Sequence, residues 1–147
     1  MKTLKKHITY IKIIALSLTI GLVIGCNIIQ VSNVQSQIHR PGLPSGKSTI
    51  NYSWKLAVEE SIEINSVSLR KENKLIKILS FVIYDLKDGR IINDYKLPKG
   101  NYYIKFEIPG SDLSPKEENI IELNYTNKNI KKSLCFKSTK VPDLLMR

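Results

Sequence analysis

The chain has 147 residues, with 23 Lys plus Arg against 13 Asp plus Glu, two cysteines and a formal charge of +10 at neutral pH. That length suits one folded domain and not two, and two cysteines exclude a disulfide framework of the kind that staples small secreted domains. Basic and acidic residues alternate along most of the chain instead of forming a basic stripe, so no nucleic acid is expected as a partner.

The N-terminal segment differs from the rest. Residues 1–25 hold Lys2, Lys5, Lys6 and Lys12 and no acid, and Ile13 to Gly25 is a run of 13 uncharged residues. A basic head followed by an apolar run of this length has the form of a secretory signal peptide. The basic end stays on the cytosolic side while the apolar run enters the bilayer. Val23-Ile24-Gly25-Cys26 resembles the lipobox of bacterial lipoprotein precursors, with an aliphatic residue three before the cysteine and a small one just before it. Ile24 is bulkier than the family's usual Ala or Ser. The resemblance implies a diacylglyceryl thioether on Cys26, cleavage between Gly25 and Cys26, and acylation of the new amino group. It further implies a membrane-lipid partner and an envelope location, at the outer membrane facing the periplasm or at the cell surface. An uncleaved span from Ile13 to Val31 and ordinary secretion remain open, and both also carry the body of the chain out of the cytoplasm. Removing residues 1–25 takes away four lysines and no acid, which leaves 122 residues with 19 basic against 13 acidic side chains.

With Cys26 lipidated, Cys135 has no intrachain partner, and a packed thiol is expected there. Residues 26–49 are rich in Gln, Ser and Asn and end in two prolines and two glycines, so they read as a flexible tether. "GLPSGKST", Gly42 to Thr49, imitates a phosphate-binding loop. It has three residues between its glycines where four are needed, and no apolar strand leads into it. It is read as a Pro/Gly turn, and no nucleotide is expected as a partner.

From Ile50 the apolar period becomes two, and a domain spanning 50–147 is expected. Ile62 and Ile64 share a face, then Val67 and Leu69 do, so the phase slips near Asn65-Ser66 as at a bulge. Leu75 to Leu86, "LIKILSFVIYDL", predicts one central strand covered on both faces. "KDGR", Lys87 to Arg90, predicts a tight hairpin turn, and "IINDYKL" a further strand. After "LPKG", Tyr102, Ile104, Phe106 and Ile108 alternate with Tyr103, Lys105 and Glu107. Ile121, Leu123 and Tyr125 alternate next, and "TNKN" turns into a last strand with Leu134 and Phe136, ending before Val141-Pro142. About seven short strands with turns at regular spacing predict an all-β fold, a single antiparallel β-sandwich. The order from Leu75 to Pro109 resembles transthyretin-like and other Ig-like modules. "LSFVIYDLKD" is similar to the early strand of the small outer-membrane lipoprotein of type VI secretion systems, a family that binds the periplasmic part of an inner-membrane protein.

The chemistry-bearing residues are few. The one histidine after residue 25 is His39, in the expected tether, and the carboxylate pairs Glu59-Glu60 and Glu117-Glu118 read as solvated charges. A Ser-His-Asp triad or a zinc site would need more, so no catalytic residue, cofactor or metal is expected. Two basic clusters remain: Arg70, Lys71, Lys74 and Lys77, and Lys128, Lys131 and Lys132, with Lys137 and Lys140 beyond. They read either as edge protection or as a docking surface for an acidic partner or a membrane. The function expected is a non-catalytic interaction module of an envelope assembly such as a secretion system. The alternative is a lipoprotein that binds a ligand or inhibits an enzyme.

Overall fold

The computed structural model describes residues 27–41, 46–71, 74–110 and 119–146. Cys26 and Glu117-Glu118 lie outside the described residues. Two sheets pack face to face as a β-sandwich that does not close into a barrel. The strands are β1 (Ile29–Pro41), β2 (Thr49–Val58), β3 (Ile62–Lys71), β4 (Lys74–Ile78), β5 (Val82–Asp85), β6 (Ile91–Ile92), β7 (Lys96–Leu97), β8 (Gly100–Pro109), β9 (Ile120–Asn127), β10 (Ile130–Lys137), β11 (Thr139–Lys140) and β12 (Leu144–Met146). Sheet A runs β11-β1-β2-β8-β5-β6, with β12 also on β1; sheet B runs β10-β9-β3-β4, with β7 also on β3.

The first correction concerns the tether. Residues 29–41 form β1, which pairs antiparallel with β2 on one side and parallel with β11 and β12 on the other. The sandwich therefore begins at Ile29 and not at Ile50, and the expected boundary at residue 49 falls inside it. A membrane span reaching Val31 is likewise at odds with Ile29–Val31 lying in this strand. Between Ser32 and Gln35 the register slips, with Asn33 at φ 51°. The inward set thus changes phase from Ile29 and Val31 to Val34, Ser36 and Ile38.

The second correction concerns "LIKILSFVIYDL". Its first part, β4, is an edge strand of sheet B, and its second part, β5, belongs to sheet A. The chain crosses between the sheets at Leu79–Phe81, where Leu79 is 88% exposed. "IINDYKL" divides the same way, into β6 in sheet A and β7 in sheet B. The last correction is at the C-terminus, where the chain continues through β11 and β12 past Val141-Pro142.

Other expectations hold. The slip in β3 falls between Ile64 and Ser66 against β9. The Asp-Gly turn joins β5 to β6, with Gly89 at φ 72° and Asp85 N–H donating to the Arg90 carbonyl at 2.8 Å. A side chain at that φ would be strained. Lys128 and Asn129, at φ 48° and 65°, make the two-residue turn between β9 and β10.

In β8, Tyr102, Ile104, Phe106 and Ile108 are all buried. They face Leu56, Trp54, Tyr52 and Ile50 of β2 in direct register. Tyr52 stacks on Phe106 at 4.9 Å, and Trp54 meets Phe106 and Phe136 edgewise or tilted at 5.9 and 5.5 Å. Tyr102 folds back so that its hydroxyl donates to the Pro98 carbonyl at 2.8 Å, a contact like the tyrosine corner of Greek-key sandwiches. Gly100 makes room for it, since a Cβ there would lie 3.0 Å from that hydroxyl.

Two predictions follow from this packing. Phe106→Ala should lower unfolding free energy by about 3–5 kcal/mol, whereas Asn101→Ala, on the exposed side of the same strand, should change it by no more than about 0.5 kcal/mol; urea titration reads both. A chain starting at Asn27 should melt cooperatively, and a chain starting at Thr49 should lose that transition. A cooperative melt without β1 would mean that β1 is an accessory strand.

Candidate functional site

The sequence alone does not say where the two basic clusters stand relative to each other. Pairing of β3 with β9 places Glu63 opposite Thr126 and Arg70 opposite Ile120. The β3–β4 turn and the β9–β10 turn therefore lie at opposite ends of sheet B, about 30 Å apart for a ten-residue strand at ~3.3 Å per residue. Arg70, Lys71 and Lys74 sit at one end with Lys77 close by; Lys128, Lys131 and Lys132 sit at the other. They are two surfaces, not one.

At the first end, Lys71 and Lys74 are register partners. Arg70, Lys74 and Lys77 are exposed, as is Leu75. Arg70 pairs with Glu122 across the sheet at 2.9 Å, while Lys74 and Lys77 close no ion pair among the described residues. Lys77, Ser68, Glu122 and Cys135 form one row of the outer face. Cys135 is free and exposed on β10, which corrects the expectation of a packed thiol. Alternation explains it: Leu134 and Phe136 take the inward positions of this edge strand.

The second end gathers turns that are distant in sequence. Glu59 and Glu60 follow β2, the Asp-Gly turn precedes β6, Lys99 precedes β8, and Lys128 precedes β10. Lys99 pairs with Glu59 at 2.9 Å, Lys128 with Glu60 at 2.8 Å, and Arg90 with Asp88. The hydrogen bond from Lys128, and then its charge, hold the Glu60 carboxyl below its ordinary range. The Arg90 backbone N–H does the same for Asp88. Lys131 and Lys132 line an open depression of about 480 Å³ with Asn65, Asn124 and Ser133. Sequence reasoning did not connect Lys87, Arg90 and Lys99 to this cluster. Each was visible as a turn residue, but only the strand order brings those turns together.

His39, placed in the expected tether, stands on the outer face of β1 with Nε2 3.3 Å from Gln37 Oε1. Among the described residues, no group of three or more His, Cys, Asp or Glu is placed to hold a metal ion. No helix among the described residues is long and apolar enough to cross a membrane. Comparison with protein-family models, with curated proteins and with solved structures finds no match for this chain.

Inside the sandwich, Asn119 Nδ2 donates to the Tyr52 hydroxyl at 2.6 Å. Burial pushes the Tyr52 phenol up to about 12, and the Asn119 bond only partly offsets this. An unfolded tyrosine ionises near 10. The native state thus keeps a proton that the unfolded chain releases first. The resulting stabilisation is complete below pH ~10 and is lost as pH rises towards the folded value. Absorbance titration at 295 nm should show a late tyrosine step that coincides with unfolding. Tyr52→Phe should remove that step; its persistence would assign the late phenol to Tyr102 or Tyr125, which burial also raises.

Proposed function

We propose that this chain is an envelope lipoprotein, held on a membrane by an acylated Cys26, whose sandwich is a non-catalytic interaction module in a larger cell-envelope assembly such as a secretion system. The observation that carries the reading is the division between inside and outside. The inter-sheet space is filled by large side chains, with Tyr52, Trp54, Leu56, Ile104, Leu97 and Leu123 at 0% exposure. A small-molecule carrier needs a cavity of ~300 Å³ or more with apolar walls, and these side chains occupy the place where a sandwich of this size would hold it. The depression by Lys131 and Lys132 lies on the outside and is open to solvent.

The available chemistry is on the surface. Lys74 and Lys77, beside the exposed Leu75, offer cations that close no ion pair among the described residues, next to apolar area at one end of sheet B. An acidic protein surface is complementary to that combination. The basic head, the uncharged run and Gly25 before Cys26 supply the anchor, and two or more acyl chains hold a protein stably where one would not.

The mature protein should begin at Cys26 and carry acyl mass, and Cys26→Ser should move it from the detergent phase to the aqueous phase. A wild-type product that retains residues 1–25 without acyl mass would refute the anchor. Purified gently from membranes, the wild type should run as part of a larger complex. Lys74→Glu with Lys77→Glu should release it without changing its melting temperature; an unchanged complex would exclude this surface.

A further inference from the structure

If Cys26 is the acylated residue, only Asn27 and Ile28 separate it from β1. Three residues span at most ~11 Å fully extended. The head-group layer is roughly 5–8 Å thick on each side of the hydrocarbon core. The anchor therefore leaves almost no free length, and the end of the sandwich where β1 starts must sit at the head groups. That end is fixed by pairing: Ile29 stands opposite Val58, and Glu59 N–H donates to the Ile28 carbonyl at 2.8 Å.

This is the same end that gathers the turns. Lys87, Arg90, Lys99, Lys128, Lys131 and Lys132 are there, with Ile130 60% and Leu86 46% exposed. Most of the carboxylates present are engaged; Glu63, exposed in the register row of Lys131 and Lys96, closes no ion pair among the described residues. Glu59, Glu60 and Asp88 are in ion pairs, and Asp85 accepts the Lys87 backbone N–H at 2.8 Å. Lys87, Lys131 and Lys132 close no ion pair among the described residues. Charges held this close to a surface act within a Debye length of ~8–10 Å, and anionic lipid attracts such juxtamembrane lysines.

We propose that this turn end docks on anionic phospholipid head groups, with Ile130 and Leu86 against the interface, so that the anchored domain stands in one orientation. The proposal rests on the lipid anchor above. It leaves the Arg70–Lys77 end pointing away from the membrane.

The test uses the full acylated chain with Cys135→Ser and Ile130→Cys, labelled with a fluorophore at residue 130. The chain is reconstituted in vesicles of phosphatidylglycerol and phosphatidylethanolamine that contain a head-group nitroxide lipid. Fluorescence should be strongly quenched. Quenching should weaken in phosphatidylcholine vesicles, in 1 M salt, where the Debye length is ~3 Å, and in the Lys87→Gln, Lys131→Gln, Lys132→Gln variant, because the anchor alone then keeps this end near the head groups without fixing the orientation. The same label placed by Lys74→Cys should stay bright throughout. Mass measurement separates the two ways of failing. A chain without acyl mass overturns the anchor and the orientation together. An acylated chain that stays bright at residue 130, or is quenched equally at residues 74 and 130, overturns the docking alone.

Discussion

The position of β1 between β2 and the C-terminal segment is the constraint on which the rest of the structure depends. A strand flanked on both sides loses its two rows of unpaired backbone groups, which are costly to bury and hazardous to expose. β1 obtains this in its second half from both ends of the chain: β2 follows it directly, and β11 and β12 return about a hundred residues later to lie parallel to Gln35–Ser36 and His39–Pro41. Side chains hold the return in place. Arg40 binds Asp143 at 3.0 Å, and Gln37 Nε2 donates to the Pro142 carbonyl at 2.9 Å. The ion pair is solvent-exposed and contributes at most about 1 kcal/mol, so it selects register more than it supplies stability. Parallel closure by a distant segment is a non-local contact, and such contacts form late because loop closure must come first.

The core explains why the outer surfaces carry polar side chains. Direct register between β2 and β8 places four pairs of large side chains side by side on the inner face of sheet A. A one-residue slip in either strand would turn them all outward. Aromatic stacking between Tyr52 and Phe106 adds a geometric preference worth about 0.5–1.5 kcal/mol beyond burial. Packing of this kind leaves no reason to spend outward positions on apolar residues. Those positions carry Ser68, Glu122, Asn124, Ser53 and Lys105 instead. Trp54 Nε1 and Asn119 Oδ1 are buried without a hydrogen-bond partner among the described residues, at a cost of roughly 1–3 kcal/mol each.

How much of this was legible in the sequence depended on whether a strand kept one phase. β8 alternates without interruption, and its inward set could be read directly. β3 slips once, at Asn65-Ser66, but its inward residues are all large aliphatics, so the two halves were still recognisable. β1 slips in the same way at Asn33-Val34, and there the signal disappeared. Its second half offers Val34, Ser36 and Ile38 inward, and its outward Gln, Ser and Asn residues gave the segment the composition of a linker. The long run from Leu75 to Leu86 failed for the opposite reason. Continuous apolar character implies burial but not membership of one sheet, and an edge strand, a crossover and a second strand together look like one central strand.

Charge placement was the least legible property, because sequence clusters are not spatial clusters. Arg70 to Lys77 is a cluster in both senses, since it occupies one hairpin. Lys128 to Lys132 is only part of a larger group, completed by Lys87, Arg90 and Lys99 from two other connections. In an antiparallel sandwich every second turn falls at the same end, so connections far apart in sequence share one surface. That rule also determines which end receives the N-terminus. Because β1 enters beside the β2–β3 turn, whatever precedes Asn27 leaves from the end that holds Lys87, Arg90, Lys99, Lys128, Lys131 and Lys132. The other end, with Lys74, Lys77 and the Arg40–Asp143 latch, lies about one strand length farther away. The same topology that closes the hydrophobic core thus separates a single positive excess into two surfaces at different distances from the point of attachment.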